Sequence, residues 1–122
     1  MSDKRKFSIQ DPRQFTGSEQ LYRHALNRKV RYTEGIQYLA ENAGAYWFID
    51  EIALAQRFDK AVAAEPFQVW ELTVQPDSTA DLVCTDGDDH EVYRKHIEFT
   101  DFPAEGIKVY FENDTITLPL ER

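Results

Sequence analysis

The chain has 122 residues, 42% hydrophobic and 13% aromatic, which suits one domain and excludes both a second full-sized domain and a disordered chain. Its 14 Lys/Arg and 22 Asp/Glu give a formal net charge of −8. The charge is unevenly spread: residues 1–31 hold 8 basic and 3 acidic residues, and residues 32–122 hold 6 and 19. An acidic body repels phosphate, so nucleic acid is a disfavoured partner, with the basic first quarter as its one route in.

Residues 1–14 mix charges with Pro12 and lack periodicity, so they read as a basic arm before a single α+β domain at 15–122. Thr16-Gly-Ser-Glu19 fits a capping box and predicts a helix over about 17–28, with Leu21, Ala25 and Arg28 on one side. Thr33 fits a second N-cap, and Ile36, Leu39, Ala40 and Ala43 recur at helical spacing. Gly44 predicts a break. The segment Ala45–Ala55, charged only at Asp50 and Glu51, reads as the core helix.

From Pro66 the period becomes two. Trp70, Leu72 and Val74 share a face; Ala80, Leu82 and Cys84 alternate next, then Tyr93, Ile97 and Phe99, then Ile107, Val109 and Phe111, then Ile116 and Leu118. Pro76-Asp77, Asp86-Gly87 and Asn113-Asp114 supply turn chemistry. Short connections predict a four- to five-stranded antiparallel meander, with about three helices packed on one face.

The lone Cys84 excludes an intrachain disulfide and favours a reducing, cytoplasmic compartment. No secretory signal is expected after Lys4-Arg-Lys6, and the longest uncharged run is eight residues, Asn42–Ile49. A membrane-spanning helix needs about 20 apolar residues, so no membrane partner is expected.

Motif searches find no phosphate loop, no nucleophile elbow and no zinc spacing, so no cofactor, metal or catalytic residue is assigned. Asp86-Gly-Asp-Asp-His-Glu91 fails the calcium-loop spacing and reads as a solvated hairpin. Cys84 reads as a small buried residue rather than a nucleophile beside His24 or His96, and His96 falls on the outer sheet face. Tyr38, Tyr46, Trp47, Phe48 and Trp70 read as core aromatics. Asp50 stands out because helical spacing sets Tyr46, Trp47, Ala53 and Leu54 around it. Such a carboxylate needs a hydrogen bond, a raised pKa or a pocket, with Tyr22, His24 and Tyr32 as candidate partners.

Phe15–His24, Tyr32–Asp50, the Trp70 strand and Phe99-Thr-Asp-Phe-Pro103 resemble a family of small bacterial proteins classed as a domain of unknown function. The resemblance spans roughly residues 13–120. It implies a stand-alone bacterial domain with phage or mobile-element relatives, and it brings no catalytic residues to carry over.

Three functional readings follow. The leading one is a non-enzymatic interaction domain, protein-binding or homodimeric, using Val69, Val83, Val92 and Tyr110 on the outer sheet face beside Arg94, Glu98 and Lys108. The second is a small-ligand binder or enzyme around Asp50, with Tyr22, His24, Tyr32, Tyr46 and Trp47. The third binds nucleic acid or an acidic partner through Lys4, Arg5, Lys6, Arg13, Arg23, Arg28, Lys29 and Arg31.

Overall fold

The computed structural model describes residues 21–121; the arm, the capping box and the first residues of the helix expected at 17–28 lie outside the described residues. In chain order the elements are β1 (Leu21–Arg23), β2 (Arg31–Thr33), α1 (Glu34–Ala43), α2 (Tyr46–Phe58), α3 (Lys60–Ala63), β3 (Phe67–Val74), β4 (Ala80–Thr85), β5 (Glu91–Ile97), β6 (Ile107–Glu112), β7 (Thr115–Thr117) and a 3-10 turn at Pro119–Glu121. The fold is α+β, with three helices among the described residues.

The helix expected to run on to residue 28 is replaced by a hairpin. Leu21–Arg23 pairs antiparallel with Arg31–Thr33, and Tyr22 lies opposite Tyr32. Leu21, read as a helix-face residue, is exposed, as is Leu26, while Val30 and His24 are buried. The third helix is instead the single turn at Lys60–Ala63, capped by the Asp59 side chain on the Val62 N–H. At α1 the local chemistry acts as its spacing predicts. The Thr33 hydroxyl accepts from the Ile36 N–H at 3.3 Å, and Gly44 closes the helix at φ 63°. The Glu121 carboxylate completes that cap, accepting from the Thr33 hydroxyl at 2.5 Å, the Gly35 N–H at 3.2 Å and the Leu118 N–H at 2.9 Å.

Among the described residues the sheet has seven strands in the order β1-β2-β7-β6-β3-β4-β5, not four or five. It is mixed, because β2 and β7 run parallel. Nor is it a simple meander. β3, β4 and β5 are joined by hairpins, but β6 returns to the far side of β3, the Greek-key order. The connection over 98–106 makes that return possible. The Thr100 N–H donates to the Ser78 carbonyl at 2.8 Å, Phe102 is buried, and Gly106 turns at φ 67°. A Cβ on Gly106 would stand 2.2 Å from the Leu72 carbonyl oxygen. Only glycine lets β6 leave this turn against β3.

The turns carry out their chemistry. Gln75-Pro-Asp-Ser78 closes with the Ser78 N–H on the Gln75 carbonyl at 3.0 Å. Asn113 and Asp114 both have positive φ, 55° and 60°, as a tight two-residue hairpin needs.

Apolar residues of all three helices and the inward residues of the strands form one buried cluster that includes Ile36, Phe48, Ile52, Val62, Trp70, Leu82 and Ile116. Inside it lies one uncharged polar side chain, Gln68, with no exposed surface. Its Nε2 donates towards the carbonyls of Val62 at 2.9 Å and Glu65 at 3.0 Å, and its amide exchanges bonds with Gln56 of α2 at 2.7 and 2.9 Å. Its Oε1 also accepts from the Trp70 indole N–H at 2.9 Å.

Gly106→Ala is expected to destabilise the chain by about 3 kcal/mol in urea unfolding, combining left-handed strain with the backbone clash. A loss below about 1 kcal/mol would show that the turn can relax without moving β6.

Candidate functional site

Asp50 lies on α2 and His24 just after β1, and the two side chains meet at 2.7 Å between His24 Nε2 and Asp50 Oδ1. The imidazole is 5% exposed and the carboxylate 53%, so Asp50 is a surface group rather than one walled in by its apolar neighbours. The other ring nitrogen settles the chemistry. Nδ1 accepts from the backbone N–H groups of Leu26 at 3.1 Å and Asn27 at 3.0 Å. It therefore carries no proton, and the ring proton sits on Nε2, donated to Asp50. Both nitrogens are spent: the ring caps the 24–30 turn, whose ends are tied by the His24 N–H on the Val30 carbonyl at 2.9 Å. Neither is left to move a substrate proton.

Around this pair the structure gathers most of the other candidates. The Tyr22 and Tyr32 rings stack, with centroids 5.7 Å apart and planes at 17°. Burial first, then the neighbouring Tyr22 and Asp50, hold the Tyr32 hydroxyl above its ordinary pKa. Tyr46, expected in the core, is exposed. Its hydroxyl donates to Glu41 at 2.9 Å and accepts from the Gln37 amide at 3.2 Å, and desolvation with Glu41 raises its pKa. Trp47 turns instead towards the core, edge-on to Phe48 at 5.9 Å. Glu41 and Gln37 were not among the sequence candidates, although their i,i+4 spacing just before the Gly44 break sets them together on one face of α1.

The remaining candidates lie apart. Cys84 is buried, and desolvation followed by nearby carboxylates pushes its thiol up to about 12, far from a thiolate at neutral pH. Asp86 binds its own hairpin, accepting from the Asp88 and His90 N–H groups at 2.8 and 3.2 Å. No group of three or more metal-ligating side chains occurs among the described residues. His96 faces outward and bonds Asp81 at 3.0 Å, which raises its pKa. Arg31 reaches the Asn113 carbonyl at 3.1 Å and Arg23 the Arg28 carbonyl; Lys4, Arg5, Lys6 and Arg13 lie outside the described residues. Two open grooves, of about 370 and 340 Å³, run past Leu72 and Pro119 and past Asn27 and Asn113. Neither is lined by Asp50 or its partners. No helix among the described residues is long and apolar enough to cross a membrane.

On the outer sheet face Val69 pairs with Tyr110, Val83 lies across from Glu71 and Arg94, and Phe67 meets Tyr110 with centroids 5.5 Å apart. Val92 does not join them. It is the extra residue of a bulge, where Cys84 faces Tyr93 and Thr85 faces Glu91, and it packs against the core cluster. Glu71 is opposite Lys108 on this face.

His24→Ala is expected to cost about 2 kcal/mol in denaturant unfolding, since two backbone donors lose their acceptor. Asp50→Asn, whose amide oxygen still accepts from Nε2, is expected to cost under about 1 kcal/mol. A separate measurement addresses the thiol: Cys84 should resist iodoacetamide in the folded chain at neutral pH and label fully once unfolded in guanidinium. Rapid labelling of the folded chain would contradict the burial argument.

Comparison with curated proteins finds no match, and comparison with solved structures finds none. Residues 8–122 match the model of the family of unknown function DUF6876, which agrees with the resemblance to a domain-of-unknown-function family over roughly residues 13–120. The chain belongs to that family.

Proposed function

We propose that this chain is a non-enzymatic interaction domain that joins a second copy of itself through the outer face of its sheet. The observation that carries the reading is a set of half-buried apolar residues opposite the core: Val69 and Tyr110, a direct cross-strand pair of β3 and β6, and Val83 of β4, diagonal to Val69. A sheet face turned to water normally alternates polar residues outward, as Glu71, Thr73, Lys108, Arg94 and His96 do here. Val69 and Tyr110 depart from that pattern as a pair, and Val83 departs from it one diagonal step away.

Charge supports a symmetric contact. The set borders residues of both signs, Glu71 with Lys108 and Asp81 with Arg94 and His96. A two-fold operation can set the acidic part of one rim against the basic part of the other. The site chemistry points the same way, because the Cys84 thiol is held protonated and the His24 ring is spent on structure.

Light scattering on the full chain at micromolar concentration tests the reading. Wild type is expected to run as a dimer, and Val83→Glu and Tyr110→Glu as folded monomers by circular dichroism. A wild-type monomer, or a dimer that persists in both variants, refutes it.

A further inference from the structure

We propose that the surface shared by Tyr22, Tyr32, Tyr46, Asp50 and Glu41 binds an arginine side chain presented by a basic segment of a partner protein. It uses none of the outer-face residues, so it stands independently of self-association.

Four elements bring these groups together. β1 and β2 supply the stacked Tyr22 and Tyr32, α2 supplies Tyr46 and Asp50, and the last turn of α1 supplies Glu41. Both carboxylates are exposed, and each is met by a neutral donor. Asp50 accepts a hydrogen bond from the Nε2–H of His24, whose other nitrogen is committed as an acceptor and so leaves the ring uncharged. Glu41 accepts a hydrogen bond from the Tyr46 hydroxyl. Two negative charges therefore remain without a contacting cation among the described residues.

The position of Glu41 adds to this. α1 has no basic residue in its last turn, so the carboxylate sits beside the negative end of the helix dipole, an arrangement unfavourable to α1 alone and favourable to an incoming cation. Tyrosine faces next to carboxylates suit a guanidinium, which stacks on aromatic rings with its plane and donates to acids with its edge. Asp50 and the Tyr22 hydroxyl both act electrostatically on Tyr32, and Tyr32 and Glu41 on Tyr46, which agrees with one continuous surface.

The experiment titrates a synthetic oligo-arginine peptide into the full chain at low salt, followed by amide chemical shifts. Wild type is expected to bind, with shifts at Tyr22, Tyr32, Tyr46 and Asp50. The Asp50→Asn/Glu41→Gln pair keeps the bonds to His24 and Tyr46 and is expected to bind about tenfold more weakly. Asp88→Asn/Asp89→Asn removes the same charge from the exposed β4–β5 hairpin and is expected to stay within about twofold of wild type. Tyr32→Leu should weaken binding at unchanged net charge. Equal weakening by the two charge pairs would reveal a net-charge effect and overturn the proposal, as would no binding by wild type. Binding that appears only after Lys4, Arg5 and Lys6 are changed to Gln would place the chain's own basic segment on this surface and overturn the partner reading.

Discussion

The amide of Gln68 is the point on which the rest of the fold turns. A polar side chain with no exposed surface is tolerable only if its hydrogen bonds are made, since each unmet group costs on the order of 1–3 kcal/mol. Its partners are spread over three places: Gln56 on α2, the carbonyls of Val62 and Glu65 where α3 ends, and the indole of Trp70. They can be met together only in one placement of β3 against the helices. Apolar contacts alone would tolerate a small slide; this network does not. With β3 fixed, β4 and β6 pair on its two sides, and everything outward follows from them. Glu51 makes a second tie, from α2 to the sheet edge, through Lys95 at 2.6 Å and Tyr93 at 3.3 Å.

What the sequence disclosed was local. Thr33, Gly44 and Asn113-Asp114 act through neighbours a few residues away, so cap, break and hairpin could be read from letters. The alternation in β3, β4 and β6 was legible for the same reason. Gln68 carries a local signal as well, as a polar residue in phase with Trp70 and Leu72. The pairing of Arg31 with Thr115 and the return of β6 to β3 were not, because each joins residues distant along the chain. The helix expected after Thr16 failed from residue 21 on for a related reason. Its apolar spacing was weak, and the stacking of Tyr22 on Tyr32 with the capping by His24 depends on partners that local spacing does not show.

The candidate site was half legible. Helical spacing singled out Asp50, and the short candidate set for it contained its true partner, His24. Its exposure was not legible, because spacing shows what lies along the helix and not what covers it. Once the second ring nitrogen is seen to hold two backbone amides, the pair becomes a fastening for a turn. The chemistry left at the surface is that of aromatic rings and uncompensated carboxylates.

The bulge at Val92 has a bearing on how copies of this domain can assemble. Among the described residues β5 ends the sheet, and an edge strand of seven residues would ordinarily invite another strand to extend the ladder. Here the ladder is broken at Thr85, and the edge carries Arg94 bound to Glu91 and Lys95 bound to Glu51. Adding a strand would have to bridge the irregularity and disturb those ion pairs. Association through the outer face would instead stack two sheets about 10 Å apart, a contact that is used up once made. Such an assembly stops at two, where edge-to-edge growth would have no natural end.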